Sequence, residues 1–410
     1  MADTWCKRAE HELILRSFNN EVEAALCCKS QNPVSLFDKG ALQKVKEDLK
    51  NGIKNTHCTV CWFHESKGIQ SWRIIGNLSR INDKTIEVYL DNTCDQACIY
   101  CSPKYSSKWS QEVNHASIID KSFLKTVLND NTFVETKKQN NITLILDQLV
   151  DIGEHSKPDV AYQIILLGGE PLLSPYLKKN VIDDIISAFY LKTNVDRKLK
   201  IIIVTNGNTP DLLMDRTLLV INESLEKYKN LKFTINLSME ATDNIAEFVR
   251  HGVSWKQFIK NYKKYLDNGV EVGFSMTLNN VTFMNTPTFL KEMIELAKNS
   301  NGWRKRTFFK VNVAQYPKFL SIALLPESYR YIFNECKQII QNNKEYILDN
   351  VFFNQFFQDL SFAEDLFSSE VEKQKHVSIA LNYFEYLKRT RGTNLLDVNP
   401  DLHQYLKENL

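Results

Sequence analysis

Three cysteines stand close together in LDNTCDQACIYCSPKYSSKW, which begins at Leu90. Cys94, Cys98 and Cys101 are spaced C-x3-C-x2-C, and no fourth cysteine follows. Thiolates select soft metals: zinc, copper(I) or iron–sulfur clusters. A closed zinc site needs a fourth ligand. His115 lies beyond a Ser/Lys-rich stretch and has no partner at zinc-finger spacing. Three cysteines on a [4Fe–4S] cluster instead leave one iron open to a small molecule, and an open coordination position is what chemistry requires. A zinc knuckle with a distant ligand is the structural alternative.

A second set comprises Cys6, Cys27, Cys28, Cys58 and Cys61. Eight of the nine cysteines fall in the first 101 residues, whereas thiols used only as small core hydrophobes would scatter. The pair in THCTVCWFHESKGIQSWRI is a C-x2-C half-site for zinc or iron–sulfur. With Cys6 and one of Cys27 and Cys28, four thiolates are available for a closed site. Cys28 is preferred over Cys27, because adjacent side chains of an extended chain point opposite ways and only one would bind. His57 and His64 flank the pair and read as surface residues. Cys336, in the helical pattern YIFNECKQII, reads as an inert buried thiol.

These residues need a scaffold. The 410-residue chain is 43% apolar and 24% charged, an ordinary globular balance that supports a normal core without staples. A formal charge of +2 gives no long-range pull on nucleic acid. No secretory signal is evident in MADTWCKRAEHELILRSF and no run of 18 apolar residues occurs, so a cytoplasmic protein without a membrane span is expected. Residues 1–75 form a cysteine-rich region with few strand-like runs. Strands and helices alternate over 84–325, and 326–410 is helical in pattern. Apolar strand candidates lie at 85–92, 162–169, 199–207, 231–240, 270–279 and 308–316. Most are continuous apolar runs, as in covered parallel sheets. Between them lie helical stripes. In SWKQFIKNYKKYLDNG, Ser254 can cap the start, and Asn268-Gly269 stops the helix. About six β/α units predict an α/β fold, an open sheet or a partial barrel, with its site at the carboxyl ends of the strands.

CDQACIYC, with Tyr100 before the last cysteine, resembles the hallmark of the radical S-adenosylmethionine (SAM) enzymes. LLGGEPLL resembles their GGE motif, implying that Gly168, Gly169 and Glu170 meet the methionine amino group of SAM. VTNGN is similar to a ribose-side segment, with Thr205 and Asn206 as candidates. LSMEATDNIAEFVRHGVSW resembles a fourth-strand motif. It implies Ser238 and Glu240 toward the sugar and Arg250 toward the SAM carboxylate; many relatives carry Asp where Glu240 stands. Asn279, and Val313 to Gln315, would touch the adenosine end. The N-terminal region resembles SPASM/twitch modules that hold an auxiliary [4Fe–4S] cluster. Cys58, Cys61, Glu65, Gly68, Ser71 and Arg73 match the subgroup pattern CxxCxxxExxGxxSxR. The resemblance implies a partial (β/α)6 parallel barrel with an N-terminal cysteine-rich module and a C-terminal helical extension.

It also implies reductive cleavage of SAM to a 5′-deoxyadenosyl radical, which abstracts hydrogen from an unidentified peptide, sugar or nucleoside. The outcome would be oxidation, epimerisation or bond formation. A one-electron donor such as flavodoxin or ferredoxin would be a partner. The competing class is a non-catalytic zinc-binding α/β scaffold. The aromatic tail NVFFNQFFQDLSFAEDLF is expected to pack against the barrel.

Overall fold

The computed structural model describes residues 4–18, 21–30, 32–35, 38–68, 70–78, 83–128, 142–155, 160–175, 181–190, 198–300, 307–347, 350–369 and 372–410. Among them the strands are β1 (Glu12–Phe18), β2 (Glu21–Ala25), β3 (Val34–Ser35), β4 (Lys84–Tyr89), β5 (Ala97–Cys98), β6 (Tyr162–Leu167), β7 (Leu199–Thr205), β8 (Leu231–Ser238), β9 (Arg250–His251), β10 (Glu271–Leu278) and β11 (Thr307–Val313). The chain divides into two compact units, each discontinuous in sequence. One is built from residues 1–91, 135–204 and 219–233, the other from 92–134, 205–218 and 234–410.

The first unit carries strands in the order β3-β2-β1-β4-β6-β7. β1 runs parallel to β4 (Leu15 beside Val88), β4 to β6 (Val88 beside Leu166) and β6 to β7. β2 and β3 add antiparallel. All the expected strands form, but β1 to β3 arise where few strands were expected. The cause is charge: Glu12 and Arg16 interrupt the apolar run ELILRSF. Both are nonetheless buried, and the Arg16 guanidinium lies 5.1 Å from the Tyr89 ring centroid. Glu12 pairs with Arg8, and with an ion-pair partner or an aromatic ring beside them such charges are tolerated inside.

In the second unit, β10 lies between β8 and β11, parallel to both. One face of β10 and β11 is apolar. Phe274 stacks on Phe309 and meets Tyr262 and Phe289 edge-on, so the helices Trp255–Asp267 and Thr286–Lys298 cover that face. The first of these helices starts and stops as its sequence predicts. The Ser254 side chain accepts from the Gln257 amide, and Gly269 adopts a φ of 71° after Asn268. Three longer helices complete the C-terminal region: Tyr331–Asn342, Asn350–Phe367 and Lys373–Arg391. The aromatic helix 350–367 packs against β11, as expected for the tail. Asp359 accepts a hydrogen bond from the Val311 amide (3.2 Å), satisfying a donor on β11. The fold is therefore mixed α/β with parallel strands and a helical C-terminal region. Among the described residues no helix is long and apolar enough to cross a membrane.

Candidate active site

The cysteine loop is pinned at almost every residue. Cys98 pairs with Arg250 where β5 meets β9, and the Ile99 amide donates to the Val249 carbonyl at 2.8 Å. The Cys98 carbonyl accepts from the Trp109 indole (2.8 Å) and the Cys101 amide (3.0 Å). Ser106 donates to the Gln96 carbonyl (2.6 Å) and caps the helix Ser107–His115 by accepting from the Trp109 amide. Cys94 is tied through its amide to the Ser107 hydroxyl. Such a mesh fixes the three Cα positions before any ligand arrives, and that limits the entropy lost on binding.

A buried polar network lies against the loop. Arg250 Nη2 bonds Glu240 Oε2 at 2.6 Å, and the Tyr100 hydroxyl donates to Glu240 Oε1 at 2.8 Å. Arg250 Nη1 is 3.9 Å from Cys98 Sγ, which itself lies 3.7 Å from Gln96 Oε1. Burial pushes the Cys98 thiol up, and the nearby guanidinium opposes this. Burial works against the Arg250 charge, but Glu240 outweighs it and raises its pKa. Burial also raises Tyr100 well above the ordinary phenol range. Two buried donors, Arg250 Nε and Gln96 Nε2, have no protein partner. An unmet buried N–H costs about 1–3 kcal/mol, so these atoms await an acceptor.

Among the described residues no three His, Cys, Asp or Glu side chains converge on a single metal ion. Thiolates around one zinc would stand about 3.8 Å apart, given a Zn–S distance of ~2.3 Å. An iron–sulfur cluster sets its cysteines farther apart, across separate irons. The donor chemistry of the loop, three free thiols with orphaned N–H groups beside them, fits an anionic metal–sulfur group.

The other expected residues take these places. In the first unit, Gly168 has a φ of 147°, and a Cβ there would stand 2.6 Å from the Asp91 carbonyl oxygen. Glycine is required by this backbone approach, together with the Gly169 amide bond to the same oxygen (2.8 Å). Glu170 is buried and caps the turn Pro171–Leu173 by accepting from Leu172 at 3.1 Å. In the second unit, Thr205 accepts from the Gly207 amide, and Asn206 donates to Asp95 at 2.7 Å, reaching the cysteine loop. Ser238 ends β8 half-buried. Asn279 is fully buried and serves its own turn, accepting from Val281 and Thr282 and donating to the Thr277 carbonyl. Arg250 meets Glu240 rather than the nearer-in-sequence acids Asp243 and Glu247.

Sequence reasoning did not find Gln96, Asp95 or Tyr383. The Tyr383 hydroxyl donates to the Ile99 carbonyl at 2.8 Å across 284 residues, and no local signal marks such a contact. The Arg391 guanidinium, 4.5 Å over the Trp109 ring, braces the same loop.

In the first unit, Cys6 and Cys58 pack in an apolar cluster with Ala9, Leu26, Leu42, Val45, Leu49 and Trp62. Burial pushes Cys58 to about 12, with Cys6 and Cys61 adding to the rise, and burial likewise raises Cys6 and Cys61. Cys28 stands beside Cys27; the two thiols share a hydrogen bond, and Arg8 feels both. The premise of alternating side chains fails here, because the chain turns at this point, with the Ser30 amide on the Cys27 carbonyl. His57 is not a surface residue. It is 3% exposed and its Nε2 accepts from the Leu26 amide. Cys336 is buried as expected, its thiol pushed by burial to about 12.

The motif residues after the cysteine pair form a clamp. Glu65 takes two bonds from Arg73 (2.7 and 3.0 Å) and one from Ser71, while Arg73 Nη1 reaches the Trp5 carbonyl beside Cys6. Gly68 supplies the positive φ that ends the helix Thr59–Ser66. Burial raises the Glu65 pKa, but the bonds from Arg73 and Ser71 outweigh it, so the folded carboxyl lies below its ordinary value. A depressed carboxylate stabilises the fold above its unfolded pKa, about 4.3, and this is lost as pH falls through the folded pKa. Hydrogen-exchange protection factors across residues 59–78 should therefore fall below about pH 4.3. In Glu65→Gln that pH dependence should flatten; an unchanged profile would refute the clamp.

A family model of the radical SAM superfamily matches residues 88–306. No curated protein matches the chain. Among solved structures, native anSMEcpe with bound AdoMet aligns at 13% identity and a TM-score of 0.39, covering 63% of this chain and 59% of that one. Streptococcus suis SuiB bound to the precursor peptide SuiA aligns at 16% identity and a TM-score of 0.37, covering 78% and 56%. The chain thus spans about three fifths of the length of the anSMEcpe chains it matches. The family model covers more than half of the 410 residues, including the end of the strand before the cysteine loop and the loop itself. The parallel β/α order is of the partial-barrel type. This chain belongs to the radical SAM superfamily of enzymes.

Proposed function

We propose that Cys94, Cys98 and Cys101 hold a [4Fe–4S] cluster that binds SAM at its open iron, and that the chain takes a hydrogen atom from a C–H bond of a peptide, sugar or nucleoside. The observation carrying this is the pinned three-thiol loop with two unpartnered buried donors beside it. When bound, the cluster and SAM supply an electron and a carbon-centred radical; a flavodoxin or ferredoxin is the donor class. The chain's own residues bind and orient. Gly168, Gly169 and Glu170 receive the methionine amino group. Arg250, whose two terminal nitrogens are engaged, offers Nε to the carboxylate. Thr205, Asn206, Ser238 and Asn279 line the sugar and adenine side. Glu240 and Tyr100 keep Arg250 charged and in place.

Cys6, Cys58 and Cys61, with Cys28 as fourth thiol, hold an auxiliary [4Fe–4S] cluster in this proposal. The packing of Cys6 with Cys58, and the electrostatic effect of Cys61 on both, support it. Anaerobic reconstitution should give about eight irons and sulfides per chain and dithionite-dependent 5′-deoxyadenosine. Cys98→Ala should lose that product entirely and about half of the iron. Cys58→Ala with Cys61→Ala should lose the other half. Colourless protein with stoichiometric zinc would sink the proposal.

A further inference from the structure

Away from the cysteines, the face of β8, β10 and β11 opposite the apolar one is polar and only half-covered. Its residues are Asn236, Ser238, Ser275, Thr277, Lys310 and Asn312, and all but Asn236 are half-buried. Strand register lines them up: Ser238 beside Ser275, Ser275 beside Lys310, and Thr277 beside Asn312. The face is closed at its lower end. Phe308 fills the space left by Gly273, where a Cβ would stand 2.1 Å from its ring, and stacks on Phe352 at 4.0 Å. Its upper end adjoins the Glu240–Arg250 pair, since the Thr277 amide points to Glu240 Oε2 at 3.5 Å.

Two groups on this face lack partners. Asn236 is nine-tenths buried; its amide nitrogen donates to Ser275 (2.9 Å), but its Oδ1 accepts nothing. Lys310 is the only cation among the six and makes no hydrogen bond or ion pair with the described residues. Lys310 is half-buried as a residue, and an ammonium with no partner among the described residues suits an anion. An orphaned carbonyl beside it calls for an N–H or O–H donor.

We infer that this face, apart from the Ser238 given to SAM, binds the substrate, and that the substrate carries a carboxylate or phosphate for Lys310 and a hydrogen-bond donor for Asn236 Oδ1. The inference rests on the proposed function above for the identity of the occupant as substrate. It narrows the class to acidic or phosphorylated compounds and weighs against neutral or cationic ones.

The test is competitive amine labelling of the reconstituted full chain, with inorganic phosphate and acetate as separate probes and every lysine followed by peptide mass spectrometry. At three times the dissociation constant of a binding probe, the Lys310 labelling rate should fall about fourfold, while exposed Lys256 and Lys263 stay unchanged. Protection by phosphate alone assigns a phosphorylated substrate, by acetate alone a carboxylate, and by both a general anion site; each supports the inference. Protection by neither, or equal slowing of Lys256 and Lys263, overturns it. A second measurement needs no substitution: phosphate or acetate should appear beside Lys310 in a soaked crystal, and an empty face at saturating probe also overturns it. These readouts do not depend on SAM cleavage. An intact anion site with no 5′-deoxyadenosine would fault the radical chemistry alone, and the reverse would fault only this inference.

Discussion

Arg250→Met should cost the fold about 3–5 kcal/mol, although methionine fits the space. The loss comes from Glu240, whose side chain is 1% exposed and would be left as an unpaired buried anion. Tyr100 alone cannot compensate a full charge. The double variant Arg250→Met with Glu240→Met removes both charges and should recover most of the stability, as replaced buried pairs do. Urea midpoints of the three proteins give the comparison. Cleavage of SAM should not recover in the double variant, because the proposed carboxylate contact is gone. Equal instability of single and double variants would show that an unpaired Glu240 is not what destabilises the single variant.

Gly252→Ala should displace the cysteine loop itself. Gly252 has a φ of 106°, and a Cβ there would meet the Asp95 carbonyl oxygen at 2.6 Å, backbone against backbone. Conformational strain alone is about 1–3 kcal/mol, and relief requires Asp95 to move away from Asn206. Iron at the three-cysteine site should then bind incompletely and leave quickly to a chelator. Gly392→Ala is the control. It shares a positive φ of 69° but meets nothing within 4 Å, so it should cost only about 1–2 kcal/mol and leave iron retention alone. Equal chelator kinetics in the two variants would remove the steric part of this account.

The six apolar runs between residues 85 and 316 determined the parallel strands without help, because a covered strand must be apolar and its ends are punctuated by glycine or polar caps. The C-x3-C-x2-C spacing and the GGE motif likewise carried, locally, the resemblance to the superfamily whose model matches the chain. β1 to β3 escaped because Glu12 and Arg16 break the apolar pattern, and only pairing beside β4 and contact with Tyr89 make their burial tolerable. His57 escaped for a similar reason: a polar ring beside a cysteine pair reads as exposed until the Leu26 amide is brought to it. The Arg250–Glu240 pair, the Tyr383 bond to Ile99 and the polar row ending at Lys310 were decided by tertiary structure alone. Each joins residues whose partners lie on other elements, and a one-dimensional pattern carries spacing along the chain but not register between strands or which charges end up buried together.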